Sequence, residues 1–178
     1  EEWNQTFGGN SSDSGSYVQQ TGNGGYVIAG TTRSFGNFGE CVHCANIWLI
    51  KTDNIGNEEW NQTFGGSQNE YCSALDLTSD GGYIITGSTQ ENPSSYPDIW
   101  LIKTDSYGNE EWNQTFGENG GIWDIGKDVQ QTTDGGYIIT GYKYVNGNNY
   151  LLLIKTDNYG NEEWSKTFGS SDTNIEGT

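Results

Sequence analysis

The chain of 178 residues is poor in several things at once. It has no Met, two Pro, one His and only 7 Lys plus Arg against 24 Asp plus Glu, for a formal net charge of −17. Hydrophobic residues make up only 31%. No stretch approaches the roughly 18 apolar residues that a membrane helix requires, so no membrane span is expected in this segment. The shortage of positive charge sets the chain against phosphate backbones and excludes nucleic acid as an expected partner. Ala, Leu and Met are scarce, which disfavours helix. Low aliphatic content with high charge is a composition that often stays disordered. What is present argues otherwise: 7 Trp, 11 Tyr and 6 Phe are rings that need burying, and 27 Gly supply turns.

These residues are not scattered. EEWNQTFG stands at 1–8, 58–65 and 110–117, with EEWSKTFG at 162–169. The tryptophans concerned, Trp3, Trp60, Trp112 and Trp164, are spaced by 57, 52 and 52. GGYVIAGT at 24–31 returns as GGYIITGS at 81–88 and GGYIITGY at 135–142. NIWLIKTD at 46–53 returns as DIWLIKTD at 98–105 and YLLLIKTD at 150–157. A weaker string precedes each GGY: SYVQQT, ALDLTS and DVQQTT. Each unit therefore holds four short segments, A to D, and the chain is a tandem array.

The segments read as strands. B is β-branched and alternating. C is almost continuously apolar, as in a strand buried on both faces. D alternates, with Trp60, Gln62 and Phe64 on one face and Asn61 and Thr63 on the other. Asp80-Gly81-Gly82 and Asp134-Gly135-Gly136 are A–B turns, and Asp53 to Asn57 with its copies are C–D hairpins. Four antiparallel strands in about 50 residues predict one blade of a β-propeller. The expected class is all-β: three four-stranded blades plus one extra strand, an incomplete propeller or a segment of a larger one. The expected divisions are an orphan outer strand at 1–9, blades at 10–66, 67–118 and 119–169, and the start of a further repeat or tail at 170–178. About four to eight blades are needed to close such a ring. Further blades of the same parent chain are therefore expected as partners, or else copies of the chain itself.

GGYIITGST followed by DIWLIKTDSYGNEEWNQTFGG resembles the SBBP-type β-propeller repeat of secreted and surface proteins of archaea and bacteria. The resemblance covers nearly the whole chain. It implies a propeller fold and an extracellular or cell-surface location, and says little about activity.

Several side chains break the repeat. The B–C loop of the first unit carries Cys41, His43 and Cys44, and Cys72 stands where the other units have Gly15 and Gly126. Three readings stay open. One is a disulfide from Cys72 to Cys41 or Cys44, which requires an oxidising compartment. The second is zinc held by three Cys and one His, and the third is unpaired or intermolecular thiols; Cys41-x-x-Cys44 also has the spacing of a redox pair but lacks the helix N-terminus that would lower a thiol pKa. Sequons at Asn4, Asn10, Asn61 and Asn113 are expected glycosylation sites if the compartment glycosylates. Asp53, Asp105 and Asp157 open hairpins whose oxygens form a weak calcium pattern, though plain turns explain them as well. A Glu-Glu pair follows each of these turns and also reads as charge that keeps an exposed sheet edge from aggregating; Lys51, Lys103 and Lys155 recur beside these acids and are expected to neutralise them.

No catalytic constellation is visible. A single His without a motif makes a poor general base, and carboxylates copied three times are unlike an active site. No cofactor is expected beyond the calcium and zinc readings. Recurrent Trp48, Trp100, Tyr26, Tyr83 and Tyr137 are expected in the core. Phe35, Phe38, Tyr96, Trp123, Tyr142 and Tyr144 lie in or near loops at the B–C end and are the binding candidates. The expected role is a non-catalytic scaffold, surface-layer or adhesion component, with binding of a glycan or surface protein as the alternative.

Overall fold

The computed structural model describes residues 3–36, 44–90, 92, 94–117 and 122–169. Among these there is no helix, and twelve strands form three four-stranded antiparallel sheets. Sheet 1 holds β1 (Asp13–Gln20), β2 (Tyr26–Thr32), β3 (Asn46–Thr52) and β4 (Glu58–Phe64). Sheet 2 holds β5 (Tyr71–Leu77), β6 (Tyr83–Thr89), β7 (Asp98–Thr104) and β8 (Glu110–Phe116). Sheet 3 holds β9 (Trp123–Gln131), β10 (Tyr137–Val145), β11 (Asn148–Thr156) and β12 (Glu162–Phe168). Strands pair in chain order within each sheet, so segments A, B, C and D are its four strands in sequence. Residues 3–12 belong to none of the sheets.

Both faces of a sheet are apolar. Every residue of β3 is buried. Successive side chains point to opposite faces, so each strand feeds two cores. The forward face of sheet 1, with Val27, Ala29, Ile47, Leu49 and Phe64, packs on the rear face of sheet 2, with Tyr83, Ile85 and Ile102. The forward face of sheet 2, with Ile84, Ile99 and Leu101, packs on the rear of sheet 3, with Tyr137, Ile139, Leu152 and Ile154. The first strand of each later sheet is laid against its predecessor and tied there by backbone bonds. Glu70 N–H donates to the Ala45 carbonyl at 2.8 Å, and Asp124 N–H to the Pro97 carbonyl at 2.9 Å.

The repeated tryptophan closes each seam at the turn end. Trp60 meets Tyr83 of the next sheet with ring centroids 6.0 Å apart, and Trp112 meets Tyr137 at 5.6 Å. Trp3 meets Tyr26 at 5.8 Å, although no strand surrounds it. Beneath each indole is the hairpin glycine of the following sheet. A Cβ on Gly108 would stand 2.6 Å from the Trp60 ring, and one on Gly160 2.6 Å from Trp112. These glycines also have positive φ, so the turn and the seam both demand Gly.

Among the described residues Trp164 is the copy with no following sheet, and it is 40% exposed. We expect Trp60→Ala to lower stability by about 3 kcal/mol, the usual effect of emptying an aromatic core site. Trp164→Ala should change it by less than about 1 kcal/mol. Urea unfolding of the two variants checks this; equal losses would contradict the seam assignment.

Candidate functional site

The end of the sheets opposite the tight turns gathers the irregular aromatics. Tyr96 lies in the connection between β6 and β7, Trp123 opens β9, and Tyr144 pairs with Trp123 across the β9–β10 ladder. The Asp124–Pro97 backbone bond holds β9 against that connection. As a result the Trp123 ring lies 6.2 Å from Tyr96 and 6.0 Å from Tyr144, tilted to both. The three are 48%, 43% and 40% exposed, Tyr96, Trp123 and Tyr144 in that order. They form one continuous aromatic surface across the junction of sheets 2 and 3. Such a surface can stack on the C–H face of a sugar or on an apolar side chain.

The remaining aromatic candidates do not join it. Phe35 packs on Trp48 at 5.1 Å in sheet 1. Tyr142 is half-buried beneath the Lys127 ammonium, 5.4 Å from the ring centre. Phe38 lies outside the described residues. Trp48, Tyr83 and Tyr137 are buried in the core, while Tyr26 and Trp100 are half-buried.

The cysteine expectation needs correction. Cys72 is a free thiol, so it staples nothing. It sits within the sheet 1–sheet 2 core beside Val27 and Leu75, and burial pushes its thiol up to about 12. Zinc is bound by thiolate, and this apolar setting disfavours the thiolate. Cys44 is buried and disulfide-bonded, with its sulfur 3.3 Å from the Ser67 carbonyl oxygen, so only the pairing with Cys72 is overturned. Cys41 and His43 lie outside the described residues. Among the described residues no cluster of three metal-ligating side chains occurs.

The three hairpin aspartates are engaged in their own turns. Asp53 accepts from the Ile55 and Asn57 amides at 3.0 and 2.8 Å and from the Asn57 side chain at 2.9 Å. Asp105 and Asp157 repeat this pattern with Asn109 and Asn161. The side-chain bond from the Asn is the main cause that lowers each carboxyl below its ordinary value. A calcium ion would have to displace these donors.

Each lysine neutralises one acid of the Glu pair that follows its turn, as expected, and in two units the acid of the A–B turn as well. Lys103 is 3% exposed at its side chain, and its ammonium donates to Asp80 at 2.9 Å, Glu111 at 2.7 Å and the Thr104 carbonyl at 2.8 Å. Lys155 does the same with Asp134, Glu163 and Thr156. Lys51 holds Glu59 and Thr52, and the turn residue of the first unit is Asn23 instead of Asp. The second glycine of each GGY makes the room: a Cβ on Gly82 would collide with the Thr104 carbonyl and crowd the Lys103 ammonium.

The sequon asparagines have a structural duty. Asn61 accepts from the Trp48 indole at 3.1 Å and donates to Glu58 at 2.7 Å. Asn113 does so with Trp100 and Glu110. In the third unit Leu152 replaces the Trp, and Ser165 replaces the Asn. This paired change in the repeats was a readable sign of contact. Asn4 and Asn10 are exposed, outside the sheets.

Two outcomes follow. With Cys41 and Cys44 changed to Ser, Cys72 should react with a thiol reagent at pH 8 on the order of a thousandfold more slowly folded than in urea. Equal rates would show that the thiol is not buried. The second concerns Asp80, whose partial burial works upward but is outweighed by Thr78, the Lys103 ammonium and the Gly82 amide, which hold it at about 2. Because the folded value is depressed, its contribution is present above about pH 4 and lost as pH falls towards 2. Asp80→Asn should flatten that part of the melting-temperature profile; an unchanged slope would remove Asp80 from the acid transition.

No family model matches the chain, and no curated protein matches it in sequence.

Proposed function

We propose that the chain is part of a β-propeller of the SBBP-repeat type and serves as a non-catalytic scaffold, surface-layer or adhesion component outside the cell or on its surface. One observation carries this. Each sheet presents a forward face that fits the rear face of the next, and the set recurs on sheet 3 with nothing against it among the described residues. Leu151 and Phe168 are 50% exposed and Trp164 40%, whereas their counterparts Ile47 and Phe64 are 0% and 7%. Such faces belong against another blade, of the parent chain or of a second copy. The acidic surface supports a soluble, exposed setting.

A second use is favoured by the Tyr96–Trp123–Tyr144 surface. It suits a glycan or a surface protein, and it belongs to a module that binds while the stacked sheets hold it rigid.

A chain extended by a second copy of residues 119–169 tests the propeller. The added unit should raise the unfolding midpoint and shift Trp164 fluorescence to shorter wavelength. An unchanged midpoint with Trp164 still exposed would remove the propeller reading. Glycan-array binding that is lost in Trp123→Ala would support the second use.

A further inference from the structure

At the turn end of the molecule, far along the strands from the aromatic surface, sheets 2 and 3 enclose a groove of about 390 Å³. Trp112 and Tyr137 line it edge to face, and Tyr159 stands at its rim, 65% exposed. Asp80 and Glu111 open into it, with side chains 57% and 46% exposed. Asn158 completes the far side.

The donors and acceptors in this groove are unequal. Lys103 is its cation, but an ammonium has three N–H groups. Asp80, Glu111 and the Thr104 carbonyl already take three bonds from it. It has no donor left for a ligand. Two carboxylates against one ammonium leave one excess negative charge, set among three aromatic rings. A ligand therefore has to bring N–H donors, positive charge and a flat face. Ring faces attract cations, and a planar guanidinium both stacks on Trp or Tyr and matches a carboxylate with its fork.

The repeat provides its own control. At the seam of sheets 1 and 2, the turn residue is Asn23, the position of Gln131 is Leu77, and that of Asn158 is Ser106. Gln131 accepts from the Ser79 amide at 2.8 Å and so joins the two sheets across the groove. The shared Trp, Tyr, Lys and Glu hold every seam together. Each of Asp80, Gln131 and Asn158 recurs elsewhere, as Asp134, Gln20 and Asn54, but of the two seams between sheets only this one brings the acid and both amides together.

We propose that the groove between sheets 2 and 3 binds a guanidinium group, as on an arginine side chain of a basic segment in a partner protein. The probe is agmatine, followed by NMR of the tryptophan indole N–H signals, with Trp112 assigned by substitution to Phe. A saturable shift is expected at Trp112 and not at Trp60. It should weaken about tenfold in Glu111→Gln and in the exposed-tip variant Tyr159→Ala, persist in Glu59→Gln, and weaken with added salt. Melting curves establish that each variant is folded, and Tyr159→Ala leaves the Lys103 cluster intact. The proposal is overturned by the absence of saturation, by equal shifts at Trp60 and Trp112, or by full binding in folded Glu111→Gln and Tyr159→Ala. A saturable response to methyl glucoside without one to agmatine also overturns it, and would mark a sugar site instead.

Discussion

A sheet with two apolar faces cannot be stable alone, and everything else in this chain follows from that constraint. Strand β3 is buried from end to end, and its counterpart β7 nearly so. Burial on both sides is possible only if sheets stack, and a stack of like units needs forward and rear faces that fit each other. The repeat solves this with few residues. The D-strand Trp and Phe point forward, and the B-strand Tyr and the hairpin Gly receive the Trp from behind. Low overall hydrophobicity is compatible with a real core because the same positions are used in every unit.

Stacking creates a second demand, since polar groups at the seams must be satisfied. The turn ends are held by a buried lysine whose three N–H groups meet carboxylates and a carbonyl. Removing one partner from such a cluster is more damaging than never having had it. The first unit illustrates the point: with Asn23 in place of the turn acid, Lys51 is left with Glu59 and the Thr52 carbonyl. Much of the large negative charge therefore lies in internal fittings of the unit. Of each Glu-Glu pair in the first two units, one carboxylate holds Lys and the other holds the sequon Asn. The edge-strand charge expected to keep sheets apart is the same charge that ties one sheet together.

The strands were legible because repetition multiplies a weak signal. Alternation over seven residues says little once, but the same alternation at three registers identifies strands, turns and their order. Tyr96, Trp123 and Tyr144 stood out for the opposite reason, since they do not recur. What could not be read was the direction of polar side chains. Lys103 looks like a surface lysine beside Asp105, yet the bulge between Lys103 and Thr104 brings it to Glu111 and Asp80. Cys72 looked like half of a staple because it replaces Gly at a strand start. In fact the inward position at that start is apolar, and the thiol simply fills it. The Trp–Asn bond was within reach, since Trp48 and Asn61 change together in the third unit, but strand spacing alone placed Asn on a neutral outer face.

Difference between copies is therefore the most informative quantity in this molecule. Positions that are the same in every unit answer to stacking, and no single ligand explains them. Departures occur at both seams: Asn23, Cys44, Cys72, Leu77 and Ser106 where sheets 1 and 2 meet, and Tyr96 and Trp123 where sheets 2 and 3 meet. At one end of the second seam Tyr96 and Trp123, which do not recur in other units, form an exposed aromatic surface with Tyr144. At the other, Asp80, Gln131 and Asn158 surround the invariant Trp–Tyr pair, where the seam of sheets 1 and 2 departs from the repeat with Asn23, Leu77 and Ser106. A seam already tied by its Trp, Lys and backbone bonds can carry such differences between copies. It also holds them still, which is what a recognition surface requires. The repeat supplies the rigidity, and the exceptions to it are where selectivity can be built.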